Sequence, residues 1–274
     1  MKDIKLVATD MDHTLLTESN ELPPQLNECI TELNKLGVTF AIASGRPLYT
    51  LKDVFSDYGE NLTFICDNGA LIFHKGEVLF ESLFSFSELV SIVEFFGKKT
   101  DGIIILCGLE TAYISAHNRK YKDFLHNYYS NIELTDNLGA LNCSIDKVTI
   151  YFPNKNSKEV NDKLIIPYFD ERYSITVSDT IWIDIMNKGV DKGNAMRLLG
   201  DHLSISKSEM MAFGDTYNDI ELLKSVKFSY IVANASKDME QYAKYRTKSN
   251  EEFGVIEVLM KLISEKGGIR IYEQ

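Results

Sequence analysis

Three continuous apolar runs open this chain, each ending in polar residues and separated from the next by a helix-like stretch. No other feature restricts the fold more. "IKLVATD" reads as a buried parallel strand, because a strand covered on both faces carries no polar alternation. Pro23 and Pro24 then suit a helix start, Leu26, Ile30, Leu33 and Leu36 recur at helical spacing, and Gly37 stops the helix. "VTFAIASG" is a second buried strand, residues 51–59 a short helix, and "LTFICDNGA" a third strand. This βαβαβ order predicts a parallel sheet with right-handed crossovers.

After Asn68-Gly69 the pattern changes. "ALIFHKGEVLFES" predicts a hairpin turning at Lys75-Gly76. From Phe84 to Met186 the apolar runs are shorter and more alternating, as in "DGIIILCG", "TAYISAH", "DKVTIYF" and "YSITVSDTIWIDIM". Residues 84–186 are therefore expected to form an α+β insert on a mostly antiparallel sheet. The α/β style returns over 187–274. "VDKGNAMRLLGDHL" and "TYNDIELLKSV" read as helices, the second with Ile220, Leu223 and Val226 inward. "EMMAFGD" and "FSYIVANA" read as strands, and "GVIEVLMKLISEKG" as a C-terminal helix. The expectation is an α/β protein whose parallel-sheet core, residues 1–83 and 187–274, is interrupted by the insert, with a cleft between the two parts.

Charge and cysteine usage narrow the function. The net charge of −11 makes nucleic acid or an anionic membrane a poor partner for the overall field. The basic, aromatic segment "HNRKYKDF" is short and reads as a solvated helix face. No apolar run approaches the roughly 20 residues of a membrane helix. Cys29, Cys66, Cys107 and Cys143 are scattered, without a CxxC pair, as expected of reduced thiols in a cytoplasmic protein. An anionic substrate would have to be held locally, by a metal or a few cations. A monomer and a homodimer both fit the sequence.

In open α/β sheets, ligands gather at the carboxyl ends of the strands. Those ends carry Asp10 and Asp12; Ser44, Gly45 and Arg46; Asp67, Asn68 and Gly69; and Gly214 and Asp215, with Asn218 and Asp219 opening the next helix. Lys192 opens the helix after the insert. Taken singly, each has a structural role available: Ser44 as a helix cap, Arg46 as an ion-pair partner, Asp67-Asn68-Gly69 as a tight turn, Asp215 and Asp219 at the positive end of their helix. Lys192 fits such a role least, because it sits at the wrong end of a helix dipole for a cation.

Together these residues suit phosphoryl transfer. Several carboxylates at one sheet edge need a hard cation among them, and oxygen ligands without His or Cys point to Mg²⁺. Lys192 and the amides near Ser44 and Gly45 are able to hold phosphate oxygens. One aspartate attacks phosphorus to give an aspartyl-phosphate, and the other protonates the leaving oxygen and then deprotonates water. Asp10 and Asp12 are close because both are used at one phosphorus atom.

The motifs "DMDHTLL", "AIASGRP", "VDKG" and "FGDTYNDIELL", in this order, resemble the haloacid dehalogenase (HAD) superfamily, and most closely its Cof-like phosphatase branch. The resemblance runs over essentially the whole chain, including "DNGALIF". It implies a Rossmann-like parallel-sheet core with the insert as a mobile α+β cap. It also implies Asp10 as nucleophile and Asp12 as general acid/base. Mg²⁺ would be held by Asp10, Asp215 and the main-chain carbonyl of Asp12, with Asp219 in support. Ser44, Gly45, Arg46, Lys192 and Asn218 would serve the phosphoryl group. His13 departs from the family, which commonly has glycine there.

The function implied is Mg²⁺-dependent hydrolysis of a small phosphate ester, a sugar phosphate or a nucleotide-like phosphomonoester. A phosphomutase or phosphotransferase on the same scaffold is the first alternative. A regulatory domain phosphorylated on Asp10 is the second, disfavoured because receiver domains are far shorter and lack both the insert and an acid/base such as Asp12. The absence of GxGxxG after the first strand argues against dinucleotide binding.

Overall fold

The protein's structure, a computed structural model, describes residues 1–58, 62–169 and 171–268. Gly59, which ends the second predicted helix, lies outside them. Strands β1 (Leu6–Thr9), β2 (Thr39–Ala43) and β3 (Thr63–Cys66) pair in parallel, linked by α1 (Leu26–Lys35) and α2 (Leu48–Val54). Strands β4 (Leu71–His74) and β5 (Glu77–Glu81) extend that edge antiparallel. Their hairpin turns at Lys75 and Gly76, whose φ angles of 48° and 89° are those of a tight, left-handed turn.

The next segment builds a separate sheet. It comprises α3 (Phe86–Lys99), β6 (Ile103–Gly108), β7 (Ala112–Ser115), α4 (Lys122–Leu125), β8 (Ile132–Thr135), β9 (Ile145–Tyr151), α5 (Ser157–Val160), α6 (Ile166–Phe169), β10 (Tyr173–Asp179) and β11 (Trp182–Asn187). The strand order is β10-β11-β9-β6-β7-β8, antiparallel except at β7–β8. The run "YSITVSDTIWIDIM" is thus two strands of a hairpin.

The chain then returns to the first sheet through α7 (Lys192–His202), β12 (Met210–Gly214), α8 (Ile220–Ser225), β13 (Phe228–Ile231), β14 (Tyr245–Arg246) and α9 (Gly254–Glu265). The completed order is β14-β13-β12-β1-β2-β3-β4-β5. The fold is a Rossmann-like parallel-sheet core carrying an inserted α+β cap.

Burial explains why the strand runs differ. Both faces of the first sheet are covered: Phe40, Phe213, Leu33 and Leu259 pack on one, Leu6, Ala41, Met196 and Leu199 on the other. The cap has its own core, in which Phe96 of α3 packs in one cluster with Ile150, Phe152 and Phe169. "TYNDIELLKSV" is not one continuous helix. Tyr217–Asp219 form a 3₁₀ turn before α8, because Thr216 and Asp219 make a reciprocal capping box that tightens the first turn. Leu222, Leu223 and Val226 are the buried apolar residues of this run, and Ile220 is only half-buried. Phe40→Ala should destabilise the protein by about 3–5 kcal/mol through the cavity it leaves, measurable as a lower midpoint in denaturant unfolding.

Candidate active site

Strand β1 lies between β12 and β2, and its register with β12 sets Thr9 opposite Phe213. Both strands therefore end at the same level, and the Asp10 amide donates to the Phe213 carbonyl at 3.0 Å. Beyond that level Asp10 and Asp215 emerge side by side. Asp219 turns back into the same space: its Oδ2 accepts from the amides of Asp215 (3.0 Å) and Thr216 (3.3 Å). This requires Gly214, since a Cβ there would stand 2.6 Å from the Cβ of Asp219. Oxygens of Asp10, Asp215 and Asp219 all lie within 4.8 Å of one another.

Lys192 joins this group from the first turn of α7. It is fully buried, and its Nζ donates to Asp10 Oδ1 at 2.5 Å and to Asp219 Oδ1 at 2.7 Å. Asp191 caps the helix, accepting the Asn194 amide at 2.7 Å. The unfavourable dipole position of Lys192 is thereby outweighed by two carboxylates at hydrogen-bond range. Thr14, which the sequence reading left without a role, donates to Asp215 Oδ1 at 3.0 Å. It belongs to the first motif, "DMDHT", which is where a search would find it.

Burial pushes the Asp10 carboxyl well above the usual range, and the neighbouring Asp219 adds to it. Burial likewise raises Asp215 to about 7, with Asp219 as second cause. For Lys192 burial acts against the charge, but Asp10 and Asp219 outweigh it and hold the pKa above the ordinary lysine value. One ammonium is thus too little positive charge for three clustered carboxylates, two of them buried and Asp215 half-buried. A set of hard oxygen donors that cannot all ionise unaided fits a divalent cation of the Mg²⁺ kind.

Asp12, His13, Gly45, Arg46 and Asn218 line the cavity beside this group, whereas Ser44 is fully buried. Asp12 directs its carboxylate away from the acidic group. Arg46 holds it, donating from Nε to Oδ2 at 3.1 Å and from Nη2 to Oδ1 at 2.6 Å. Arg46 Nη1 also reaches the cap, at the Asn127 carbonyl (3.0 Å). Ser44 is no helix cap; its Oγ accepts the Arg46 amide at 3.1 Å, and α2 is capped at Pro47. Asn218 donates to Asn68 Oδ1 at 3.1 Å, so its amide nitrogen serves the neighbouring turn. His13 has φ 60°, a left-handed backbone that glycine adopts without strain and that costs another residue about 1–2 kcal/mol. The backbone explains the family's usual glycine. The ring of His13 pairs with Glu18 at 3.2 Å.

A cavity of about 770 Å³ lies over these groups, within the range of small-molecule sites. The core supplies Asp10, Asp12, Gly45 and Arg46, and the cap supplies Tyr128, Lys147, Thr149, Ser178, Trp182 and Asp184. Sequence pattern alone does not place these cap residues. Their one signal is the charged pair Asp146-Lys147 inside an otherwise strand-forming run.

The family model for haloacid dehalogenase-like hydrolases matches residues 7–259. The chain belongs to that family of enzymes. It is 29% identical over 265 residues to the 5-amino-6-(5-phospho-D-ribitylamino)uracil phosphatase YbjI of Escherichia coli (strain K12), covering 96% of this chain and 97% of that protein. Its fold matches SMU.1108c from Streptococcus mutans UA159 at a TM-score of 0.89 and 32% identity, over 95% of this chain and 99% of that one. The HAD subclass IIB sugar phosphatase BT4131 shares the fold at a TM-score of 0.78 and 22% identity, over 95% and 99% of the two chains.

The acidic cluster has a consequence for stability without metal. The folded-state pKa of Asp215, about 7, lies above its ordinary value of 3.8. Between those values the folded protein keeps a proton that the unfolded chain has lost, so stability falls as pH rises. In EDTA the melting temperature should be higher at pH 5.5 than at pH 8, checked by calorimetry at both values; a higher value at pH 8 would contradict the site's electrostatics.

Proposed function

We propose that this chain is a Mg²⁺-dependent phosphatase that hydrolyses a small phosphorylated metabolite through an aspartyl-phosphate on Asp10. The observation that carries the reading is Asp10 itself. It is a nearly buried carboxylate, hydrogen-bonded to Lys192, grouped with Asp215 and Asp219, and it faces the same cavity as Asp12.

Asp10, Asp215 and the main-chain carbonyl of Asp12 would hold Mg²⁺, with Asp219 in support. The ion supplies positive charge that keeps these carboxylates ionised and lessens repulsion between Asp10 and a phosphate dianion. Lys192, the Ser44 hydroxyl and the Gly45 amide bind and orient the phosphoryl group. Asp10 Oδ then attacks phosphorus, forming the Asp10–phosphate bond as the ester bond breaks. Asp12, once freed from Arg46 and protonated from solvent, gives that proton to the departing oxygen, then takes a proton from the water that hydrolyses the intermediate. Arg46 holds Asp12 at the cavity rim until the leaving group is in place. Residues 84–186 act as the cap, whose closure excludes water.

The leaving group is a sugar or a nucleotide-like body. Tyr128 and Trp182 bring rings to the cap side of the cavity, and Thr149 and Ser178, whose hydroxyls donate to Asp184 at 2.6 and 2.9 Å, line it as well. YbjI is named for a uracil bearing a phosphorylated ribityl chain, and this chemistry suits the same combination of rings and hydroxyls. All four cysteines are free, three of them buried, in keeping with a reducing cytoplasm.

Purified protein with Mg²⁺, screened against a panel of phosphate monoesters, should release inorganic phosphate. Asp10→Asn should lower kcat at least about 10⁴-fold with an unchanged circular dichroism spectrum. Substantial residual turnover would remove Asp10 as nucleophile. EDTA should stop turnover and excess Mg²⁺ should restore it; activity indifferent to chelator would refute the metal's part.

A further inference from the structure

Lys147 belongs to the cap strand β9, yet its ammonium ends on the core. The side chain is 2% exposed. Its Nζ donates to the Gly45 carbonyl and lies 3.0 Å from Asp67 Oδ1. Asp184 Oδ1, on the adjacent cap strand, is 4.0 Å away. Gly45 and Asp67 lie in the two loops that follow β2 and β3. Those loops are already joined by backbone: the Asp67 amide donates to the Arg46 carbonyl (3.1 Å) and the Asn68 amide to the Ser44 carbonyl (3.0 Å).

The second loop is strained. Asp67, Asn68 and Gly69 have φ of 49°, 56° and 102°, three successive left-handed residues of which two carry a Cβ. Such a backbone persists only when its surroundings hold it. Besides those backbone bonds, the side-chain holders are Lys147 on Asp67, Asp184 accepting from Asn68 Nδ2 at 2.9 Å, and Asn218 donating to Asn68 Oδ1. Two of the three come from the cap.

The Gly45–Arg46 peptide links this clamp to the chemistry. Its oxygen is taken by Lys147, and its N–H donates to Ser44 Oγ. Fixing that peptide plane fixes the direction left to the Ser44 hydroxyl. A buried ion pair adds little net stability over an apolar pair of the same shape, so what it supplies here is geometry.

We propose that Lys147 is a positioning residue of the phosphate-binding loop: by gripping the Gly45 carbonyl and the Asp67 carboxylate from the cap, it sets Ser44 and Gly45 for the phosphoryl group. This rests on the reading of Ser44 and Gly45 as phosphate ligands. The phosphate cradle is then complete only when cap and core are docked, and the cap acts on phosphate affinity as well as on the leaving group.

The test is binding of inorganic phosphate to the Mg²⁺-loaded protein by titration calorimetry, with kinetics on p-nitrophenyl phosphate alongside. Lys147→Met keeps all but the last atom of the side chain's length, without its charge. Lys147→Met/Asp67→Asn also neutralises the carboxylate left unpaired, and serves if the single variant does not fold. The expected result is a phosphate dissociation constant and KM about tenfold higher, with kcat within about threefold of wild type. A phosphate constant within about threefold of wild type in either folded variant overturns the proposal. Wild-type protein that neither binds phosphate nor hydrolyses the ester overturns the underlying reading as well, so the two failures are distinct.

Discussion

The contact on which the rest of the site depends is the buried bridge from Lys192 to Asp10 and Asp219. Three carboxylates meet one ammonium where β1 and β12 end, with Asp10, Asp219 and Lys192 buried and Asp215 half-buried, so charge repulsion is less screened than in open water. The arrangement is tolerable because each acid is anchored separately. Asp219 accepts two amides at the start of its turn, Asp215 accepts the Thr14 hydroxyl, and Asp10 is fixed by the β1–β12 register. The excess of negative charge that remains is what makes the site a cation-seeking one. The parallel sheet, in this view, is the scaffold that brings strand ends from distant parts of the chain to one level.

The second organising feature is the contact between core and cap. Each has its own apolar core, while their best-defined bridges are polar: Arg46 to the Asn127 carbonyl, Lys147 to Gly45 and Asp67, and Asp184 to Asn68. Polar bridges between separately packed bodies favour a defined orientation without fusing the two into one core. They also converge on the loops that bear Asp12, Ser44 and Gly45. Chemistry on the core and recognition on the cap are therefore connected through a few hydrogen bonds and one buried ion pair.

Much of this was legible in the chain. Continuous apolar runs such as "IKLVATD" marked strands covered on both faces, and the alternating runs after Phe84 marked the antiparallel insert. The polar residues at the strand ends marked Asp10, Asp215 and Asp219 as neighbours-to-be, since a parallel sheet collects its carboxyl ends on one side. The mispositioned cation Lys192 was visible as a conflict with the helix dipole. What could not be read was direction: that Asp12 turns toward Arg46, that Asn218 turns toward Asn68, and that "TYNDIELLKSV" begins as a 3₁₀ turn. The first two depend on partners 34 and 150 positions away, and the third on the side-chain geometry of a capping box whose two partners stand three residues apart.

Sequence alone therefore determined the element order, the split into core and insert, and the chemical types available at the strand ends. Local patterning and burial decide all three. Tertiary structure alone decided which of those groups share a charge environment and which cap residues enter the cavity. Lys147 is the clearest case. In the chain it is one lysine in a strand-forming run, and only the docking of two separately folded cores carries its ammonium to a carbonyl 102 residues away.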